Sequence, residues 1–261
     1  MRWIGRRGSS NVEDRRGLSG GSLITGGGVI GVIFLVVQFF LSGDPTALQQ
    51  QIQQTGQSPM SANEQAADDS MAQFVSVILA DCEDVWIQIF KEQGKTYQVP
   101  KLVLFREATE SGCGYSSAAT GPFYCPDDNK VYIDLSFFQE MRDRFHVAGD
   151  FPMAYVIAHE VGHHVQFLMG TFDRVSRLQQ QSSESANKYS VAIELQADFY
   201  AGVWAHYVDQ NKHVLDNGDI EEALNAANAI GDDRLQKESQ GRVQPDAFTH
   251  GTSQQRMYWF K

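Results

Sequence analysis

The sequence has 261 residues, a formal net charge of -11 and three cysteines. An acidic chain repels the phosphates of nucleic acids, so we expect no nucleic-acid partner. Three cysteines are too few for a disulfide scaffold, so the chain must fold around a hydrophobic core, in one or two domains at this length.

The N-terminal segment combines positive charge with a long uncharged run. Residues 1–20 hold five arginines against two acidic residues, and residues 17–43 hold no charged residue. Within that run, residues 22–41 are long enough to span a ~30 Å hydrocarbon core as a helix. We therefore predict a basic cytoplasmic head at residues 1–21 and a transmembrane anchor at residues 22–41.

The position of the arginines predicts the orientation of this anchor. A basic flank before the span favours a cytoplasmic amino terminus. The chain is thus predicted to be a single-pass protein of the cell membrane, with the rest of the chain in an extracytoplasmic domain on the periplasmic side. A cleaved signal peptide is the alternative, but no small-x-small cleavage site directly follows Leu41.

The folded part of the chain is predicted to occupy residues 71–261. Residues 42–70 are rich in Gln, Ser, Ala and Pro and could not form a core, so we predict a flexible linker there. From residue 71 to residue 92 the apolar side chains follow helical spacing, which predicts an amphipathic helix. Cys82 lies on its apolar face and is interpreted as a buried free thiol.

Two short strands are predicted at residues 101–105 and 130–135. Two strands cannot form a whole sheet, so we expect a third in less regular sequence. The long loop between them carries Cys113 near one end and Cys125 near the other. In an oxidising compartment these cysteines would form a disulfide that contributes about 3 kcal/mol by restricting the unfolded chain. In a reduced cell they would stay two unpaired thiols.

A buried helix with polar residues at its centre is predicted over residues 151–169, because its flanks are almost wholly apolar. His159 and His163 are four residues apart, so both imidazoles leave the same helix face, as a shared Zn²⁺ requires. Glu160 is rotated off that pair and can reach a water on the metal without being a ligand. This HExxH pattern predicts two zinc ligands and a general base.

A second helix, within residues 189–208, carries the candidate third ligand. Glu194 and Asp198 lie on one face in its apolar part, and a buried carboxylate needs a partner. Catalytic zinc typically takes three protein ligands and a water, so we predict Glu194 as the third ligand of one Zn²⁺ per chain. Asp198 is placed to accept the ring N–H of a ligating histidine, His159 in our assignment. The reverse assignment puts Asp198 on the metal.

These residues resemble the gluzincin metallopeptidases, in which HExxH is followed by a helix carrying ExxxD. More closely, the chain is similar to a bacterial family known as putative neutral zinc metallopeptidases. The similarity covers residues 71–261 and includes the amino-terminal anchor; the segments that carry it are residues 121–125, 158–166, 194–198 and 248–253. It implies an α+β fold, a compact zincin or minigluzincin-like domain with helices packed on a small β-sheet, here preceded by a single transmembrane helix.

The C-terminal part adds one further candidate. Residues 220–230 are predicted to form a helix that breaks at 231–233, and residues 254–260 a short final helix. His250, in the turn before that helix, is either a capping or core histidine or a cleft residue that stabilises the oxyanion of a tetrahedral intermediate. The family resemblance favours the cleft role.

These features predict a zinc peptidase, expected to be an endopeptidase, that hydrolyses peptide or protein substrates with a metal-activated water. By analogy with gluzincins, an extended substrate would pair with the strand near residues 131–135. One alternative is a metal-stabilised binding or scaffold protein without proteolysis, which Glu160 argues against because a structural metal site needs no base. The other is a cell-envelope amide hydrolase.

Overall fold

The computed structural model describes residues 1–17, 61–117, 120–145, 147, 149–181 and 186–261, apart from the side chains of residues 117, 239 and 240. The architecture of these residues is mixed α+β. The strands are β1 (Val12–Asp14), β2 (Lys101–Phe105), β3 (Ala108–Ser111), β4 (Gly114–Ser117), β5 (Phe123–Cys125) and β6 (Lys130–Asp134). The helices are α1 (Ala62–Glu92), α2 (Leu135–Asp143), α3 (Phe151–Leu168), α4 (Thr171–Gln181), α5 (Ala186–Lys212), α6 (Asp219–Ala229), α7 (Asp232–Gln240) and α8 (Ser253–Phe260), with a 3₁₀ turn at Pro245–Ala247.

The main sheet has the strand order β1-β2-β6-β5, and β3 and β4 form a separate hairpin. β2 pairs in parallel with two strands, so that Leu102 lies opposite Val12 on one side and Val131 on the other. β5 runs antiparallel to β6 and is an outer strand of the sheet. The two predicted strands are confirmed as the central pair, and the expected third strand is supplied by both β1 and β5.

α3 is the central helix of the core. Every residue from Phe151 to Gln166 is buried, as its apolar composition predicts. The helix packs against α1, α5 and α6 and against the β5 and β6 side of the sheet. Pro152 lies in its first turn, where a missing N–H costs no helical hydrogen bond. This packing fixes the polar residues at the centre of α3 inside the domain.

Residues 1–17 are part of the same folded unit, so the predicted separate basic head is wrong. Besides the pairing of β1 with β2, Arg6 pairs with Asp81 and Arg16 with Asp68, and both carboxylates are buried on α1. The indole N–H of Trp3 donates to the Asp150 carboxylate, at the start of α3, at 2.9 Å. The arginines therefore neutralise acidic residues of the domain itself.

The helix α1 begins earlier than predicted. It starts at Ala62 behind a capping box, in which the Ser61 hydroxyl accepts the Glu64 N–H at 3.3 Å and the Glu64 carboxylate accepts the Ser61 N–H at 2.7 Å. Residues 62–70 are therefore helical rather than part of a linker. Residues 42–60 of the predicted linker lie outside the described residues.

The predicted membrane anchor and single-pass topology are wrong. Among the residues that the structure describes, no helix combines the length and the apolar character needed to cross a membrane. A single crossing between residues 17 and 61 would also place β1 and β2 on opposite sides of a membrane, whereas they are hydrogen-bonded neighbours in one sheet. The segment proposed as the anchor, residues 22–41, itself lies outside the described residues.

A disulfide joins the β3–β4 hairpin to the outer strand of the main sheet. It links Cys113, in the hairpin turn, to Cys125 at the end of β5. The Asp128 carboxylate supports the same junction, because it accepts the Gly112 N–H at 2.8 Å and the Tyr132 hydroxyl at 2.6 Å. Cys82 is buried and free on α1. The predicted pairing and the predicted free thiol are both confirmed.

Candidate metal centre

The centre forms where α3 and α5 approach each other closely. A β-carbon at Gly162 would lie 3.1 Å from the carbonyl oxygen of Ala197, so the bare glycine lets the two backbones come together. Glu194 and Asp198 flank Ala197 on α5 and are thereby brought to the histidines of α3. The approach of these two helices is the local cause of the site.

His159, His163 and Glu194 converge on one point. The distance from His159 Nε2 to Glu194 Oε2 is 3.2 Å, and that from His163 Nε2 to Glu194 Oε1 is 3.6 Å. One ligand atom from each residue lies within 4.8 Å of the other two. Two imidazoles and a carboxylate are a known catalytic zinc set that leaves a fourth position for water, so this donor set fits zinc. The role of each residue as a ligand stays a prediction.

The far ring nitrogens of both histidines are occupied by hydrogen-bond partners. His159 Nδ1 lies 2.8 Å from Asp198 Oδ1, and His163 Nδ1 lies 2.9 Å from Gln166 Oε1. The Gln166 side chain is itself fixed, because its amide donates to the Ile193 carbonyl at 2.7 Å. Acceptors at both Nδ1 atoms favour the tautomer that leaves Nε2 free for a metal. The geometry places Glu194 on the metal side of the His159 ring and Asp198 behind it, which does not favour the reverse assignment.

Asp198 is the centre of a buried polar network. Its Oδ1 accepts the Tyr155 hydroxyl at 2.5 Å, and its two oxygens accept Nη2 and Nε of Arg256 at 2.9 Å each. Arg256 also donates to the Tyr155 hydroxyl oxygen at 3.1 Å. All of these side chains are buried, so a carboxylate that would be costly alone is paired with a guanidinium.

The carboxylates set the protonation of the metal-free site. Burial by itself lowers the pKa of His159, but the carboxylates of Asp198 and Glu194 outweigh this and raise the pKa to about 10. Burial raises the pKa of Glu194, but His163 and His159 hold it well below the usual range. Without metal, His159 therefore holds a proton at neutral pH that a metal ion must displace.

Glu160 differs from the other carboxylates of the site. It is buried, and burial is the main cause of its raised pKa. Among the described residues it has no hydrogen-bond partner, yet it borders the cleft beside the two histidines. A carboxylate that is free, close to the metal position and more basic than usual has the properties of a general base. This role stays a prediction.

The centre opens into a cleft of about 900 Å³. One part of its lining is apolar and largely aromatic, with Phe123, Tyr124, Phe137, Phe145, Val156 and Phe172. His250 also lines this cleft, and its side chain is 51% exposed. Its turn is held by Asp232, whose Oδ2 accepts the backbone N–H groups of residues 249, 250 and 251 at 2.7, 2.6 and 3.0 Å. The structure thus places His250 at the cleft, while its role toward an oxyanion stays a prediction.

The prediction that an extended substrate pairs with the strand near residues 131–135 needs correction. Residues 131–134 belong to β6, which is already paired on one side with β2 and on the other with β5. The outer strand beside the cleft is β5, and residues 121–124 contribute to the cleft lining. Any strand addition at this end of the sheet must therefore use β5.

The whole chain, residues 1–261, matches the model of one protein family, described as "Putative neutral zinc metallopeptidase". The chain belongs to this family. The resemblance drawn from the sequence is confirmed, and the family description implies zinc, for which the three converging side chains form a fitting site.

The chain is similar to several bacterial proteins. It is 54% identical to the uncharacterized protein YpfJ of Escherichia coli (strain K12) over 274 aligned residues, which cover 100% of this chain and 94% of that protein. It is 44% identical to the uncharacterized proteins Mb2605 of Mycobacterium bovis and Rv2575 of Mycobacterium tuberculosis over 174 residues, 63% of this chain and 58% of each relative. No solved structure matches the chain.

Three residues of the centre were missed in the sequence. Gln166 carried a signal, because it is a polar residue on a buried helix one turn beyond His163. Tyr155 is also on α3, but nothing in its neighbourhood shows where its hydroxyl points. Arg256 lies on a short C-terminal helix, and only the tertiary packing brings it to Asp198.

Proposed function

We propose that the chain is a zinc-dependent endopeptidase that cleaves peptide or protein substrates bound in the cleft. His159, His163 and Glu194 would hold one zinc ion per chain. A zinc ion held there supplies Lewis acidity, which acidifies a water molecule and polarises the scissile carbonyl. The observation that carries the proposal is the position of Glu160, a buried carboxylate without a hydrogen-bond partner among the described residues that borders the cleft beside these ligands.

Different residues of the chain carry out proton transfer, orientation of the imidazoles and stabilisation of the oxyanion. Glu160 takes a proton from the attacking water and passes it to the leaving amine, so that one carboxylate serves as base and then as acid. Asp198 and Gln166 keep the imidazoles of His159 and His163 in the orientation that directs Nε2 toward the metal. His250, which lines the same cleft, donates a hydrogen bond to the oxyanion of the tetrahedral intermediate.

The charges along the cleft support an endopeptidase over a carboxypeptidase. A carboxypeptidase must hold the negatively charged carboxyl terminus of its substrate, which needs a free cation close to the metal. Among the described residues that line the cleft, both arginines are paired: Arg144 with Glu140 at 2.7 Å, and Arg256 with Asp198 at 2.9 Å. No free arginine or lysine in that lining is left for a terminal carboxylate.

A cleavage assay with a matched zinc measurement tests this function. Zinc-loaded protein is incubated with a mixture of unmodified peptides, and new termini are identified by mass spectrometry. Glu160→Gln should keep about one zinc per chain and lose cleavage by ~10²–10⁴-fold. Glu92→Gln, an exposed residue of α1 outside the cleft lining, is the control and should cleave like the native protein. Retained cleavage in the Glu160 variant, or no cleavage by the native protein, contradicts the proposal and favours a metal-stabilised binding protein or a different amide substrate.

A further inference from the structure

Arg256 reaches the metal centre from the last helix described. Its side chain is buried and makes two hydrogen bonds to the Asp198 carboxylate, with Nε on one oxygen and Nη2 on the other. Such a two-point contact fixes the orientation of a carboxylate, because rotating it would break one of the two hydrogen bonds. A lysine could supply the charge but not this geometry.

The orientation of Asp198 decides that of His159. The oxygen that accepts the His159 Nδ1 at 2.8 Å, Oδ1, is the same oxygen that accepts Arg256 Nη2. His159 in turn directs Nε2 toward Glu194. A continuous series of contacts therefore runs from Arg256 through Asp198 to the His159 ring and the predicted metal position.

Asp198 is a buried carboxylate and needs a positively charged partner. Arg256 is the arginine in contact with it among the described residues. Removing Arg256 would leave the buried carboxylate without this cation and would take away the Nε donor that holds Oδ2.

The helix that carries Arg256 is held firmly. Ser253 donates through both its N–H and its hydroxyl to Asp233, at 2.7 and 2.8 Å. A capping box between Thr252 and Gln255 closes the start of α8. At its other end α8 lies directly on α5, where a β-carbon at Gly202 would clash with the Phe260 carbonyl oxygen. Arg256 is thus presented from a fixed position.

We infer that Arg256 is a positioning residue of the metal centre, which orients Asp198 and through it the metal-binding ring of His159. The inference rests on the proposed zinc site, but it does not require that the protein cleave peptides. It assigns a function to the C-terminal helix that neither ligand spacing nor the HExxH pattern indicates.

The test measures metal binding on metal-free proteins rather than cleavage. Zinc affinity is determined by competition with a chromophoric chelator, the metal site is compared by the visible spectrum of bound Co²⁺, and the melting temperature is recorded without metal. Arg256→Met should bind zinc ~10- to 100-fold more weakly and shift the Co²⁺ bands. Arg256→Lys should have an affinity between those of Arg256→Met and the native protein. Arg234→Met is the control and should match the native protein, because Arg234 is an exposed residue of α7 that pairs with Glu238.

A double variant separates the positioning role from general stability. In an Asp198→Asn background, Arg256→Met should change zinc affinity by less than about 2-fold, because the effect passes through the Asp198 carboxylate. Native affinity and Co²⁺ bands in Arg256→Met, with only a lower melting temperature, would overturn the inference. If that variant does not fold, native affinity and bands in Arg256→Lys overturn it. A native protein that binds zinc but cleaves no peptide would refute the proposed function and leave these results intact.

Discussion

Glu194 and Asp198 contact opposite edges of the same His159 ring, Glu194 at Nε2 from 3.2 Å and Asp198 at Nδ1 from 2.8 Å. One helical turn on α5 thus separates a residue that faces the predicted metal from a residue that supports the ligand. Although both carboxylates lie on the same face of α5, replacing each of them by its neutral amide is therefore expected to have different effects on zinc binding and on stability.

Glu194→Gln should remove a metal ligand and its charge, so it should lower zinc affinity more than Asp198→Asn does. Asp198→Asn should lower affinity only ~10- to 100-fold. It should, however, lower the free energy of unfolding by about 3 kcal/mol or more, because the buried Arg256 loses its counterion. Chelator competition and denaturant unfolding on both variants measure the two effects. Equal loss of zinc affinity in both variants would contradict the division of roles.

Gly162→Ala should weaken metal binding more than it weakens the fold. The new methyl group would meet the Ala197 backbone at 3.1 Å, so α3 and α5 must separate by a few tenths of an ångström. Replacing a helical glycine by alanine favours the helix by up to about 1 kcal/mol, which offsets part of this cost. We expect a small change in metal-free melting temperature and a clear loss of zinc affinity. Native affinity in this variant would show that the helix spacing does not control the site.

Zinc binding should release protons, and its affinity should rise with pH. The pKa of His159 in the metal-free protein is about 10, so the ring is protonated at pH 7 and must lose its proton to bind a metal. Calorimetry in buffers of different ionisation enthalpy counts the protons released. Asp198→Asn should reduce the release near neutral pH, because the Asp198 carboxylate raises that pKa. Binding without proton release would show that His159 is already neutral in the metal-free protein.

The stability of the metal-free protein should show the opposite pH dependence. A histidine whose pKa rises from 6.5 in the unfolded chain to about 10 on folding stabilises the folded state fully below pH 6.5. This contribution is lost as the pH rises toward 10. Denaturant unfolding between pH 6 and about pH 10 should therefore show a decrease in the His159 contribution, and the same series with His159→Gln should lack it.

The disulfide should contribute about 3 kcal/mol to the free energy of unfolding, since it closes a loop of 12 residues in sequence separation. Reduction of the native protein and the double variant Cys113→Ser/Cys125→Ser should both show this loss, and the double variant should not respond to reductant. Cys82→Ala is the control. Burial raises the pKa of its thiol, so Cys82 should also resist alkylation in the folded protein. Peptide mapping that finds Cys82 in a bridge would contradict the pairing.

Amide hydrogen exchange should show that residues 9–15 belong to the core domain. The N–H groups of Ser9 and Arg15 donate to the carbonyls of Ser76 and Leu104 at 2.9 and 2.7 Å. We expect slow exchange in this segment, and faster exchange in Asp68→Ala, which removes the carboxylate shared by Arg16 and Arg106. α3 should keep its protection in that variant and serves as the internal control. Rapid exchange in the native protein would contradict the docking of β1.

What the sequence could predict was local. The HExxH and ExxxD spacings lie within single helices, so helical geometry alone aligned His159 with His163 and Glu194 with Asp198. The ionic pairs of the N-terminal segment are not local, because Arg6 and Arg16 meet Asp81 and Asp68 across more than 50 positions of sequence. Composition cannot distinguish an arginine that faces lipid headgroups from one that neutralises a distant carboxylate. β1 was missed for a related reason: Val12, Glu13 and Asp14 have no apolar alternation, and their strand conformation depends on β2.

The two outer strands of the main sheet, β1 and β5, differ in how readily they can pair with a strand of another chain. β1 is three residues long and ends in two acidic side chains, features with which natural sheets discourage pairing between copies of a protein. It also covers the edge of β2, a strand whose last four residues are completely buried and strongly apolar. A chain that lost β1 would expose that apolar edge, and we expect it to aggregate through strand pairing. In the intact chain, the N-terminal segment therefore protects the protein from self-association, and β5 is the edge strand that can still pair with another chain.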